Sequence, residues 1–234
     1  DRENNLWFGT DGDGLYQLNS ELFVHYNEAH GLSGEPITSV IRDRAGDYWF
    51  GTFGDGIYQL NDEGFKNFSD NPLIENKYIS SSVMDNDGRI WFGLHLGGLI
   101  LYENGVFIPF GSAEGFQFSG VRSLFCDSKG NLWIGSAEGL AMYDGTGFTH
   151  YTTREGLYDN IIWGISEPQP GRIMIVTREG FNYFKEGELT QGYFHPDIFS
   201  KRINVAIQDD YGSFWIGYSG HGIVKINAET GNYE

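Results

Sequence analysis

Asp127–Tyr143 reads DSKGNLWIGSAEGLAMY, and its phrasing returns along the whole chain of 234 residues. The other versions are NLWFGTDGDGLYQL, DYWFGTFGDGIYQL, RIWFGLHLGGLILY, RIMIVTREGFNYF and SFWIGYSGHGIVKI. Trp7, Trp49, Trp91 and Trp133 are spaced by 42 residues; a further 41 reaches Met174, and 41 more reaches Trp215. Two positions after the anchor stand Gly9, Gly51, Gly93, Gly135 and Gly217, with Val176 as the exception. Six before it stand Asp1, Asp43, Asp85, Asp127 and Asp209, with Pro168 breaking the series. A fixed period near 40 residues is the mark of a repeat architecture.

Each repeat reads as four short strands. The first is apolar (Ile37–Ile41, Ile79–Val83, Val121–Phe125, Ile161–Ile165, Ile203–Ile207). An Asp-x-x-Gly turn follows, because Asp bonds its own backbone there and Gly accepts a positive φ. The second strand carries the anchor, the third follows the next glycine, and the fourth is aromatic, as in Phe148 and Tyr151. Strand-length runs without helical periodicity predict an all-β chain. Four antiparallel strands per repeat, with one aromatic anchor and several glycines, predict the blades of a β-propeller. One small sheet cannot bury both faces, so neighbouring blades bury the tryptophans between them. The expected organisation is one propeller segment over 1–234, with repeats near 1–36, 37–78, 79–120, 121–160, 161–202 and 203–234. The chain opens at a second strand without Met or signal peptide, and its last repeat reads to a fourth strand near Tyr233. This is expected of a segment of a larger propeller.

Composition narrows the function. Net charge is −17, from 15 Lys and Arg against 32 Asp and Glu. Nucleic acid and anionic membrane surfaces need a basic footprint, so neither is an expected partner. The one cysteine, Cys126, excludes an internal disulfide and a cysteine-based zinc site. It sits in an apolar run and reads as a core thiol. Phosphate-loop, nucleophile-elbow and zinc-protease motifs are absent. Asp11-Gly-Asp13-Gly14 and Asp85-Asn-Asp87-Gly88 lack the further ligands of a calcium loop and read as turns. No cofactor or metal is expected.

The unit D-x-x-G-x-L-W-x-G-T-x-x-G-L, followed by an F-x-x-Y strand and an E-G-L loop, resembles the two-component regulator propeller repeat. Asp127–Leu140 with Phe148–Leu157 carries it most fully; His30-Gly31-Leu32 echoes the loop, and repeat five departs at Met174 and Val176. The resemblance implies a periplasmic sensor region of a two-component system, followed in the parent protein by a membrane span and a histidine kinase. It implies an oligosaccharide or other small ligand, contact with the rest of the parent sensor, and homodimerisation of the full-length protein.

Repeats also separate structural from functional positions. The loop between second and third strands and the connection from fourth to next first strand share one end of the sheets, here called the loop end. Ligands commonly bind there in propellers. Side chains that depart from the repeat at that end are the candidate ligand-binding residues: Arg122 and Trp163 on first strands, and Phe53, His95, Arg178, Tyr218 and His221 around the loops. An aromatic face stacks on a sugar ring and a guanidinium fork binds hydroxyls or a carboxylate. Loop Gln191–Ser200, with Tyr193 and His195, departs from the E-G-L form as well. The other readings are a protein-interaction or dimerisation propeller, and a lyase resembling the streptogramin-inactivating propellers, for which His95 and His221 would be the seeds. No catalytic residue is assigned.

Overall fold

The computed structural model describes residues 5–19, 22–74, 78–192, 203–209, 213–218 and 222–227. Their strands form six antiparallel sheets, each a meander in chain order. The first sheet holds β1 (Leu6–Gly9), β2 (Leu15–Leu18) and β3 (Phe23–Tyr26). The second holds β4 (Ile37–Arg42), β5 (Tyr48–Thr52), β6 (Ile57–Asn61) and β7 (Gly64–Asn67). The third holds β8 (Ile79–Met84), β9 (Ile90–Leu94), β10 (Leu99–Glu103) and β11 (Val106–Phe110). The fourth holds β12 (Ser123–Cys126), β13 (Leu132–Gly135), β14 (Leu140–Tyr143) and β15 (Phe148–Tyr151). The fifth holds β16 (Ile162–Gln169), β17 (Arg172–Thr177), β18 (Phe181–Lys185) and β19 (Glu188–Gly192). The sixth holds β20 (Ile203–Gln208), β21 (Ser213–Tyr218) and β22 (Gly222–Asn227). The fold is all-β, built of propeller blades that coincide with the sequence repeats. The expected fourth strand near Tyr233 lies outside the described residues.

Two compact units divide the chain, Asp1–Gly111 and Ser112–Glu234, each with three sheets. In the first unit one apolar cluster joins the first sheet to the second through Leu15, Leu32, Phe50 and Tyr58, with Trp7 against it. A second joins the second sheet to the third through Trp49, Ile57, Ile79 and Phe92. In the second unit the fourth and fifth sheets share Trp133, Leu140, Ile162 and Ile173, and the fifth and sixth share Met174, Phe181, Ile216 and Ile226. The glycine two after the anchor sets the sheet separation. A Cβ on Gly51 would lie 2.5 Å from Ile79 Cγ2, and one on Gly135 would lie 2.6 Å from Ile162 Cγ2.

The Asp six before each anchor has a use that spacing alone did not disclose. Its carboxylate spans two jobs: Asp127 Oδ1 accepts the amides of Lys129 and Asn131, while Oδ2 accepts the Trp133 indole N–H at 2.8 Å. Asp43–Trp49, Asp85–Trp91 and Asp209–Trp215 repeat the second bond at 2.8 Å. Turn and core are thereby tied through one side chain. Trp49, Trp91 and Trp133 are at most 1% exposed, as expected of core anchors, whereas Trp215 is 37% exposed with Lys225 over its ring. Cys126 is half-buried rather than a full core residue, its Sγ 3.8 Å from the Asp127 carbonyl.

The loop end is fastened by the connections between sheets. Leu32, Ile74 and Leu157, each at most 2% exposed, drop from those connections into the cores of their units. The following sheet clasps the backbone beside two of them. Tyr58 Oη accepts the Ser33 amide at 3.2 Å. Asn182 Oδ1 accepts the Tyr158 amide at 2.9 Å and its Nδ2 donates to the Gly156 carbonyl at 3.0 Å.

Candidate functional site

At the loop end of the first unit the connections bring three aromatic side chains together. The Phe53 amide donates to the Pro36 carbonyl and the His95 amide to the Tyr78 carbonyl, both at 2.9 Å. Phe53 and Tyr78 also form an isolated antiparallel bridge. These backbone bonds set the Phe53 ring 4.9 Å from Tyr78 and 5.2 Å from His95, centroid to centroid. Tyr78 is 44% exposed and the adjoining Leu96 61%, while Phe53 is half-buried and His95 exposed. The trio is therefore an open aromatic surface resting on the second and third sheets. Tyr78 was not among the sequence candidates. It stands where repeats two and five have Pro36 and Ile161, just ahead of a first strand, and the same comparison of repeats would have found it.

At the loop end of the second unit, the Arg122 amide donates to the Gly135 carbonyl at 2.8 Å. Its guanidinium lies 4.7 Å over the ring of Trp163. Trp163, the second residue of β16, is half-buried and rests on the apolar cluster of the fifth and sixth sheets. An aromatic face under a guanidinium offers N–H donors along the cation's edge, an arrangement suited to hydroxyl or carboxylate oxygens.

Two candidates have other work. Tyr218 is 7% exposed inside the same cluster, and burial raises its phenol pKa. It belongs to the buried cluster against which Trp163 packs. Arg178 is exposed, but its Nη2 lies 2.9 Å from Asp159 Oδ2 and its Nε 3.1 Å from Glu179 Oε1. Its charge is thus matched at the loop itself. His221, Tyr193 and His195 lie outside the described residues.

The remaining described histidines have structural partners. His25 stacks on Tyr16 at 4.3 Å with Nε2 on the Asp13 carbonyl. His30 closes a short 3-10 turn against Asn27. His150 accepts the Gln117 amide at 3.2 Å, and burial lowers its pKa. Among the described residues no group of acidic, His or Cys side chains could hold a metal ion. Nor is any helix among them long and apolar enough to cross a membrane.

The two component regulator propeller model matches residues 31–54 and 115–138. Each match runs from a connection between sheets to a loop of the next repeat's second strand, so both span the loop end. The chain therefore carries two component regulator propeller repeats, as the motifs indicated. No curated protein sequence matches it. Among solved structures, a catalytically inactive virginiamycin B lyase from Staphylococcus aureus with quinupristin aligns at TM-score 0.78 and 14% identity, over 95% of this chain and 76% of the lyase. The extracellular domain of a putative hybrid two component system from B. thetaiotaomicron aligns at TM-score 0.53 and 19% identity, over all of this chain but 41% of that one. PorZ, a surface component of the type-IX secretion system of Porphyromonas gingivalis, aligns at TM-score 0.71 and 13% identity, over 98% of this chain and 39% of that one. At these identities the likeness is one of fold.

Proposed function

We propose that this chain is a ligand-sensing extracytoplasmic propeller region of a two-component signalling protein, and that its ligand is an oligosaccharide. It acts by binding and not as an enzyme. The observation that carries this reading is the Phe53–Tyr78–His95 surface. Here three aromatic rings meet at the loop end on a surface that Tyr78 and His95 open to solvent. Stacking on the C–H face of a pyranose needs such a platform. The Arg122–Trp163 stack offers a second patch of complementary chemistry. The propeller repeats and the fold shared with an extracellular two-component domain support the setting, and a periplasmic location follows from it. The rest of the parent sensor and a second copy of it are the expected protein partners.

The test is thermal unfolding against a panel of neutral oligosaccharides. A ligand at about 100 times its dissociation constant adds about 2.7 kcal/mol of stability. Tyr78→Ala and Trp163→Ala should each reduce that gain for the ligand that binds. If no glycan raises the midpoint of the folded chain, the sensor reading gives way to a protein-interaction propeller.

A further inference from the structure

The fifth sheet departs from the repeat at its other end, where first and second strands turn. Pro168 stands in place of the Asp and Met174 in place of the Trp, so the indole–carboxylate pair of repeats two, three, four and six is missing. The aromatic has moved one strand over, to Tyr183, the cross-strand partner of Met174. At this place a cavity of about 510 Å³ opens. Four of its lining side chains form one row across all four strands, Gln169 opposite Arg172, Arg172 opposite Lys185, and Lys185 opposite Glu188. Tyr183 and Thr190 line it one step further in.

The row is polar, and its guanidinium has no carboxylate on it. Arg172 is half-buried, with its guanidinium 3.6 Å over the Tyr183 ring. Among the described residues no carboxylate pairs with it. Glu167, the nearest acid in sequence, is turned away: it accepts the Ser128 amide and hydroxyl and the Gly171 amide, all at 2.6–2.7 Å. Lys129 reaches the same turn, its Nζ 3.5 Å from where a Cβ on Gly171 would stand. Lys185 has Glu186 at 4.0 Å, and both are well exposed. Glu186 and Glu188 also line the cavity and balance its lysine and arginine in number, so the distinguishing feature is a half-buried guanidinium with no carboxylate on it. A planar fork held flat by an aromatic ring is pre-organised for a carboxylate. Gln169, Thr190 and Glu188 add hydroxyl-binding groups around it.

We propose that this cavity is a binding site for a sugar acid, with the ligand carboxylate on Arg172 and its hydroxyls on Gln169, Glu188 and Thr190. It is separate from the loop-end patches and does not depend on them. The experiment is titration calorimetry of the whole chain with glucuronate, with glucose as the ring lacking the carboxylate and acetate as the carboxylate lacking the ring. Glucuronate should bind at least about tenfold more tightly than either, a difference of about 1.4 kcal/mol. Arg172→Met keeps a flexible chain over Tyr183 and should abolish that preference. Tyr78→Ala, in the other compact unit, should leave it intact. Equal affinity for glucuronate and glucose overturns the proposal without any variant. So does a preference that survives Arg172→Met, or one abolished by Tyr78→Ala.

Discussion

Replacing Asp127 by Ala removes a side chain that is 3% exposed and bonded on both oxygens. The Trp133 indole N–H, itself in a residue 1% exposed, then has no acceptor at 2.8 Å. A buried donor left unsatisfied costs about 1–3 kcal/mol. The turn loses the acceptor of the Lys129 and Asn131 amides, a loss comparable to that of a helix cap, about 0.5–2 kcal/mol. The expected destabilisation is therefore about 2–5 kcal/mol. Trp133→Phe keeps most of the ring but removes the donor; Asp127 Oδ2 still accepts the Asn131 side-chain amide at 2.8 Å, so the cost, about 1–3 kcal/mol, comes from the lost bond and lost volume. The decisive quantity is the double variant. If the indole–carboxylate bond is the tie, the second substitution has less to break once the first is made, and the cost should fall short of the sum by about 1–2 kcal/mol. Urea unfolding reads all three as midpoint shifts at unchanged slope. Additivity within about 0.5 kcal/mol would refute the claim that turn and core are joined through this bond.

Asp85 links the same kind of pair to pH. Burial raises its pKa, but hydrogen bonds from Trp91 and Arg89 and the Arg89 charge outweigh that and hold the carboxyl below its usual range. A depressed folded-state pKa gives stability that is present above the unfolded value, about 3.9, and lost as pH falls through the folded one. Acid titration of the unfolding free energy should show that decline, and Asp85→Asn should flatten it. Leu157 is 2% exposed against Trp133, Leu140 and Ile162; Leu157→Ala should cost about 2–5 kcal/mol and lower the thermal midpoint by at least about 4 °C.

The blades were legible because their period is carried by residues with demanding roles. Each anchor Trp, each close-approach Gly and each turn Asp–Gly pair has a physical reason to sit at one place in the repeat. Gly130, at φ 89°, is the conformation such a turn requires. The strand limits were less legible: the fourth first strand runs Ser123–Cys126, since Val121 and Arg122 belong to its approach. Departure from the repeat was a useful but incomplete guide to the site. It marked Phe53, His95, Arg122 and Trp163, which the structure brings into aromatic and cationic contacts. It also marked Arg178 and Tyr218, because it registers that a side chain differs and not whether a neighbour already holds it. Asp159 and the apolar cluster around Met174 are such neighbours, and both lie in other segments of the sequence.

The fifth repeat shows why positions read singly mislead. Loss of Trp at 174 and loss of Asp at 168 look like two lapses, yet the two residues act as a pair in the repeats that keep them. A Trp alone would leave an indole N–H unmet, and an Asp alone would lose one of its two tasks. Removing both makes an apolar site that Met174 fills from β17 and Tyr183 from β18. Arg172 holds the position of Arg89 in repeat three; where Arg89 Nε lies 2.7 Å from Asp85 Oδ2, Arg172 has no such Asp and lies over the Tyr183 ring. Pro168, Met174 and Tyr183 thus replace a structural tie, and the arginine they leave without its Asp lines a polar cavity. A guanidinium released from its Asp and held over an aromatic ring beside a cavity is the physical reason to treat the turn end of the fifth sheet as a site and not as a worn copy of the repeat.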